Sequence, residues 1–287
     1  MSDEQGNRRG RLSWDFANMQ FNRSKGNFAD AIRAGAEVIP AEIMSLLPIE
    51  RDSRLLHPMC NDGREAAYLA YKAECKVVGV DYSKSALCFA RDLNDALELS
   101  NEFIEADVFD WSWSVGHVGE FEHIFISPGS LWWVDDLGEF FGRLLFLLKS
   151  GGDVIVWEFH PIVTCFEKDM TPTRDYPFNK TAIFRAGGVE DYVTRRRDFV
   201  LTARKDERVS PYEKNDHSIT DFRWSLAEIL SVMLIKFQLK PMEIRELDFI
   251  WEERYFAWLT EESPGCFRSP AGAASIPLSL LLICQKQ

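Results

Sequence analysis

From residue 54 onward the chain alternates short apolar runs with longer amphipathic ones, a pattern that predicts strands separated by helices. Arg54–Met59 is a short apolar run ending in the polar turn Cys60–Arg64, and Glu65–Ala73 reads as the helix behind it. Cys75–Val80 is continuous and rich in valine, as a strand covered on both faces should be. Over Ser83–Leu99, Ala86, Leu87, Ala90, Leu93, Ala96 and Leu97 share one helical face, with Ser83 placed to cap its start. Glu102–Ala106 and Phe121–Ile126 follow as strands. Leu137–Leu148 is a strongly apolar helix that stops at Lys149-Ser150-Gly151-Gly152, with glycine where a left-handed turn is wanted. Asp153–Phe159 is the fifth strand. Five strands spaced by helices argue for a parallel, doubly wound sheet.

Outside this stretch the pattern is looser. After a polar leader, Phe28–Leu47 carries apolar residues at helical spacing and predicts one or two short helices. His160–His217 is rich in Pro, Asp, Arg and aromatic residues, and the alternation over Val189–Thr202 suggests a hairpin. Asp221–Phe237 reads as a helix, Pro241–Leu247 as a strand, Ile250–Ser269 as a Trp- and Glu-rich loop, and Ile276–Cys284 as a last strand. Two strands closing the chain hairpin-fashion make the final one antiparallel. The expected organisation is an N-terminal helical lid over residues 1–50 and one domain over 51–287, with a cap-like insertion at about 160–218.

Composition narrows the function. In 287 residues, 33 basic against 45 acidic side chains leave a formal net charge of -12, which repels phosphate backbones and disfavours nucleic acid as a partner. The compact basic run Arg195-Arg196-Arg197 is read as a solvated face. No segment has the roughly 18–20 apolar residues needed to span a bilayer, and Met1–Gly10 lacks an apolar signal core. The six cysteines are scattered with no C-x-x-C pair, so free thiols in a reducing cytoplasm are expected and a metal site is not.

In an open α/β sheet a ligand sits beyond the carboxyl ends of the strands, where the strand order reverses. Three strand ends carry polar signals: the turn His57-Pro58-Met59-Cys60-Asn61-Asp62-Gly63-Arg64, Asp81 with Tyr82-Ser83, and Asp107 with Val108. An acid ending the second strand, about 20 residues after the turn, suits a ribose diol. Asp107 can accept from an adenine amino group, leaving the Val108 amide for a ring nitrogen. Either aspartate alone could simply cap a turn or helix; two at consecutive strand ends describe an adenosine site. Gly63 is the only glycine in the first turn, which disfavours dinucleotides, whose pyrophosphate needs G-x-G-x-x-G. S-adenosylmethionine has no phosphate and tolerates side chains there. Asn61 stands where a second glycine is expected, and asparagine adopts the left-handed conformation most readily after glycine.

These residues carry a family likeness. Leu55–Asp107 resembles the class I S-adenosylmethionine-dependent methyltransferases. The likeness to their small-molecule branch continues through Ser130-Leu131-Trp132-Trp133-Val134-Asp135-Asp136-Leu137, Leu147-Leu148-Lys149-Ser150-Gly151-Gly152, Glu158-Phe159-His160-Pro161, His217-Ser218 and Ile276-Pro277-Leu278. The resemblance implies a Rossmann-like seven-stranded sheet with its last strand antiparallel. It also implies S-adenosylmethionine held around His57, Met59, Cys60, Asn61, Gly63, Asp81, Tyr82, Asp107, Val108 and Ser127. The chain departs from the family at three positions: glycine is usual where Met59 and Asn61 stand, and an acid where His57 stands.

Methyl transfer is an in-line displacement that asks mainly for positioning and exclusion of water. The fourth strand ends at Ser127-Pro128-Gly129-Ser130, between the expected cofactor and substrate positions, and Trp132, Trp133 and Trp14 are candidate walls for a flat acceptor. His160 and His217 are candidate general bases, needed only if the acceptor is protonated at neutral pH. The expected activity is N- or O-methylation of a small aromatic or heteroaromatic metabolite. The alternative is a cofactor-binding protein without transfer activity. The sequence leaves the oligomeric state open.

Overall fold

The computed structural model describes residues 3–22, 27–167, 169–177, 179–189, 214–251 and 255–287. Its centre is a seven-stranded sheet of β1 (Arg54–Pro58), β2 (Lys76–Asp81), β3 (Glu102–Glu105), β4 (Phe121–Ile126), β5 (Leu148–Phe159), β8 (Lys240–Leu247) and β12 (Ser279–Gln285), in the order β3-β2-β1-β4-β5-β12-β8. Pairings among the first five strands are parallel, and β12 runs antiparallel between β5 and β8. The expected fold class is therefore observed, with strand order reversing between β1 and β4.

The sheet is buried on both faces because its central strands are apolar at successive positions. Leu55, Val77, Phe125 and Ile155 point to one side, into a core shared with α2 (Phe28–Arg33), α3 (Ala41–Met44), α4 (Arg64–Ala73) and α5 (Lys84–Ala96). Leu56, Val78, Ile124 and Val154 point to the other, into a core closed by α6 (Leu137–Leu147) and by Ile229 and Met233. Each fully buried Leu, Ile or Phe contributes about 1.5–3 kcal/mol, so the sheet is the rigid platform on which the strand-end loops are held. Local chemistry agrees with the expected starts and stops. The Ser83 hydroxyl accepts the Ala86 N–H to cap α5, the Asp136 carboxylate caps α6, and Gly151 takes a left-handed φ of 76° after α6.

Four sequence expectations are corrected. The helical N-terminal segment begins in the polar leader itself and not at Phe28: α1 (Asp3–Asn22) is a 20-residue helix, held by tertiary contacts although its sequence is only weakly amphipathic. Helix does not begin at Asp221. Ile219, Asp221 and Arg223 alternate inward on a strand, β7 (Ile219–Arg223), paired antiparallel with β6 (Thr181–Arg185). The helix α7 (Leu226–Leu230) starts one turn later, at a Ser225–Glu228 capping box, and continues as a π-helical turn over Ser231–Lys236. The Trp- and Glu-rich stretch is not a plain loop. It folds into a small sheet of β9 (Phe249–Trp251), β10 (Thr260–Ser263) and β11 (Cys266–Arg268), so β8 and β12 pair without a tight hairpin turn between them. Finally, the last strand begins at Ser279 rather than Ile276, and Ile276–Leu278 approach it as irregular chain. The hairpin expected over Val189–Thr202 and the run Arg195-Arg196-Arg197 fall almost wholly outside the described residues.

Candidate cofactor and acceptor site

The strand order reverses between β1 and β4, and in such sheets ligands bind beyond the carboxyl ends of the strands at that point. The turn after β1 is shaped by three left-handed residues at alternate positions: Met59 (φ 54°), Asn61 (φ 49°) and Gly63 (φ 70°). Two of these are not glycine, yet the backbone adopts the conformation glycine usually supplies, at a cost of about 1–2 kcal/mol for a residue such as methionine. Tertiary bonds hold it. The Cys60 N–H donates to the Val80 carbonyl (3.1 Å), Gly63 N–H to the Cys60 carbonyl (3.0 Å), and Asn61 N–H to Asp81 Oδ2 (2.8 Å). A side chain at Gly63 would be strained, because a Cβ would lie 2.6 Å from Ala90 Cβ and 3.0 Å from Phe103. Behind the turn, Asp62 and Arg64 form a buried ion pair at 3.0 Å, with the Arg64 guanidinium over the Phe28 ring.

Asp81 ends β2 beside this turn. Its two oxygens accept from the Asn61 and Ser83 amides, each at 2.8 Å. A carboxylate offers about four lone-pair sites, so capacity for a diol is retained. Burial raises its pKa to about 6, against the lowering effect of the Ser83, Asn61 and Tyr82 amides. Tyr82 is pushed well above its ordinary value, by burial first and then by Asp81. Asp107, after β3, accepts the Phe109 amide at 3.0 Å; burial raises its pKa, and Val108 beside it is buried. Asp81 and Asp107 thus brace the turns that follow β2 and β3.

His57, near the carboxyl end of β1, is fully buried. Its Nε2 lies 3.0 Å from Ser127 Oγ, which joins β1 to β4 across the reversal point. Burial lowers its pKa to about 3, so the ring is neutral where the resembling family has an acid. Cys60 is buried with its thiol pushed well upward by burial, a packing role and not a nucleophile.

The β4 turn is organised by a residue to which sequence reasoning gave no role. Glu158, buried near the end of β5, accepts the backbone N–H groups of Gly129, Leu131 (3.0 Å) and Phe159 (2.7 Å). Burial lifts its pKa to about 7 against those three donors. The available signal was a lone glutamate following the apolar run Val154–Trp157, since an acid there is tolerated only when partnered. Pro128 is half-buried in the turn that Glu158 fixes.

The candidate walls divide. Trp133 meets Trp14 of α1 edge-to-face at 5.4 Å, closing the N-terminal helix over the β4 turn. Trp132 has a different role: the Arg223 guanidinium lies 3.8 Å from its ring centre and Phe159 packs at 5.3 Å, so its surface is committed to protein. Arg223 is itself paired with Asp221 at 3.1 Å, so β7 is fastened to the β4 turn by a cation–π contact absent from the local sequence pattern.

The two histidines are not brought together. His160 accepts the Ile162 N–H on Nδ1 (3.2 Å) and contacts Glu246 Oε1 through Nε2 (2.8 Å), so both ring nitrogens serve structure and burial lowers its pKa. His217 is exposed, with its ring 5.9 Å from Phe16. Sequence reading also missed the rest of α1. Asp15 takes hydrogen bonds from Ser83 and Ser85 at the Asp81 turn, Ser13 bonds Asn215 and Val189, and Arg11 lies 4.0 Å from Glu105 at the end of β3. Among the described residues no His/Cys/Asp/Glu cluster has the makings of a metal site, and no helix is long and apolar enough to cross a membrane.

Residues 56–152 match a family model described as a methyltransferase domain. None of the curated proteins matches at a significant level. Among solved structures, the fold is similar to a Listeria monocytogenes protein described as an S-adenosylmethionine-dependent methyltransferase: TM-score 0.55, 16% identity, covering 86% of this chain and 96% of that one. It is also similar to an S-adenosylmethionine-dependent methyltransferase from Mesorhizobium loti (TM-score 0.55, 15% identity, 85% and 96% coverage). A Pyrococcus horikoshii protein shares the fold at a TM-score of 0.54 and 14% identity, with 89% and 91% coverage.

Proposed function

We propose that this chain, whose residues 56–152 match a methyltransferase domain, is a class I S-adenosylmethionine-dependent methyltransferase that methylates a small aromatic or heteroaromatic metabolite at nitrogen or oxygen. The observation that carries the cofactor site is the bond from the Asn61 amide to Asp81, made by a turn that keeps its left-handed shape without two of its usual glycines. Asp81 would hold the ribose hydroxyls, and Asp107 with the Val108 amide would hold the adenine. Met59, Cys60, Asn61 and Gly63 would line the methionine arm above His57 and Ser127. Bound there, S-adenosylmethionine supplies an electrophilic methyl on sulfur.

The protein's own contribution is orientation and exclusion of water. Glu158 sets the β4 turn, Ser127 is tied to His57, and the Trp14–Trp133 contact brings α1 across the turn as a lid. A helix lying against the β2 and β4 turns suits a small acceptor better than a macromolecule. With His160 engaged at both nitrogens and His217 exposed beside Phe16, neither stands ready as a base. That arrangement favours an acceptor nitrogen with a free lone pair over a phenol.

Calorimetric titration with S-adenosylhomocysteine, repeated on Asp81→Ala, tests the site. Micromolar binding that weakens at least a hundredfold in the variant is expected, and a folded wild-type protein that binds nothing would refute the reading. Transfer of labelled methyl to a panel of small amines, heteroaromatics and phenols then tests the acceptor class.

A further inference from the structure

Asn18, on α1, is 1% exposed, and among the described residues neither its Oδ1 nor its Nδ2 has a hydrogen-bond partner. A buried carboxamide with both ends unsatisfied is costly, and such groups persist mainly where function needs them. Its direction follows from its neighbours. At 3.6 residues per turn, Asn18 lies about 40° from Trp14 and about 60° from Asp15 around the helix axis, between the two. Trp14 touches Trp133 in the β4 turn, and Asp15 bonds Ser83 and Ser85 in the β2 turn. In the sheet β1 lies between β2 and β4, so Asn18 projects over the end of β1, where the strand order reverses.

We propose that the Asn18 carboxamide is a binding residue for the amino-acid end of the cofactor, its oxygen accepting from the ammonium and its NH₂ donating to the carboxylate. The inference rests on the cofactor site proposed above. In that site Asp107 and Asp81 take the adenine and ribose over β3 and β2, which leaves the amino-acid end over β1. The charges beside β1 do not compete for the role: Asp62 and Arg64 are paired with each other, and His57 is neutral and buried. A carboxamide offers donor and acceptor together and so complements a zwitterion, which a single charged side chain does not.

The test compares S-adenosylhomocysteine with 5′-methylthioadenosine, which lacks the amino-acid end, on wild type and Asn18→Leu. Asn18→Ala serves if the leucine variant does not fold. Expected are at least a tenfold loss of affinity for S-adenosylhomocysteine, a change of no more than twofold for 5′-methylthioadenosine, and a ligand-free urea midpoint equal to or above wild type. Unchanged affinity for S-adenosylhomocysteine, an equal loss for both probes, or a lowered ligand-free midpoint would each overturn the assignment. Failure of the wild type to bind S-adenosylhomocysteine would instead overturn the cofactor site as a whole.

Discussion

Gly63 joins the candidate site to the body of the protein, and substituting it separates two physical costs. In Gly63→Ala the new Cβ meets Ala90 Cβ at 2.6 Å and Phe103 at 3.0–3.2 Å, while the backbone keeps φ 70°. The left-handed conformation costs alanine about 1–2 kcal/mol. Overpacking against a Cβ fixed on α5 costs about 1–3 kcal/mol more. Loss of glycine's freedom in the unfolded chain returns about 0.4–1 kcal/mol. The net expectation is a destabilisation of about 3 kcal/mol, or a drop of roughly 1 M in urea midpoint. The companion Ala90→Gly removes the collision and leaves the dihedral strain, while itself costing about 1 kcal/mol as a helix-interior glycine. The double variant should therefore be more stable than the sum of the single effects implies, with a coupling of about 1–3 kcal/mol in its favour. Equilibrium urea unfolding of the four proteins reads this directly. Additivity within about 0.5 kcal/mol would refute the steric part of the reasoning, and a Gly63→Ala protein as stable as wild type would refute both parts.

Two further outcomes follow from the buried acids. Asp81 is raised to about 6 from an ordinary 3.8, so between roughly pH 4 and 6 the native state holds a proton the unfolded chain has lost, and this group's contribution to stability falls as pH rises through that window. Ligand binding has the opposite sign, since a diol is held by the ionised form; affinity for S-adenosylhomocysteine should fall below about pH 6, towards tenfold per unit, and a flat profile from pH 5 to 8 would contradict the role given to Asp81. Glu158→Gln places an NH₂ group against three backbone donors and should lower stability by about 2–4 kcal/mol, with weaker acceptor turnover because the β4 turn loses its anchor; a thermal midpoint within 2 °C of wild type would show that Glu158 does not hold the turn.

What the sequence determined by itself was the alternation of strands and helices between residues 54 and 159, and the two aspartates delivered at consecutive strand ends. Both are local properties: the periodicity of apolar side chains sets element type, and the end of a buried run sets where a polar residue emerges. The antiparallel last strand was legible as well, from the two strands that close the chain and from the family likeness, although β9, β10 and β11 and not a tight turn separate them. Only the tertiary structure decided the rest. Met59 and Asn61 read as departures from a glycine turn, yet bonds from residues about 20 positions away hold the backbone in the same shape. His160 looked like a rim residue until Glu246, 86 residues later, met its second nitrogen. Trp132 looked like a wall until Arg223 lay on it. The leader became a helix because Ser83, Ser85, Trp133 and Asn215 hold its inner face, and a weakly amphipathic segment gives no such signal in isolation. Hydrophobic periodicity is a property of neighbours along the chain, whereas the roles of buried polar groups depend on partners that chain folding brings from far away.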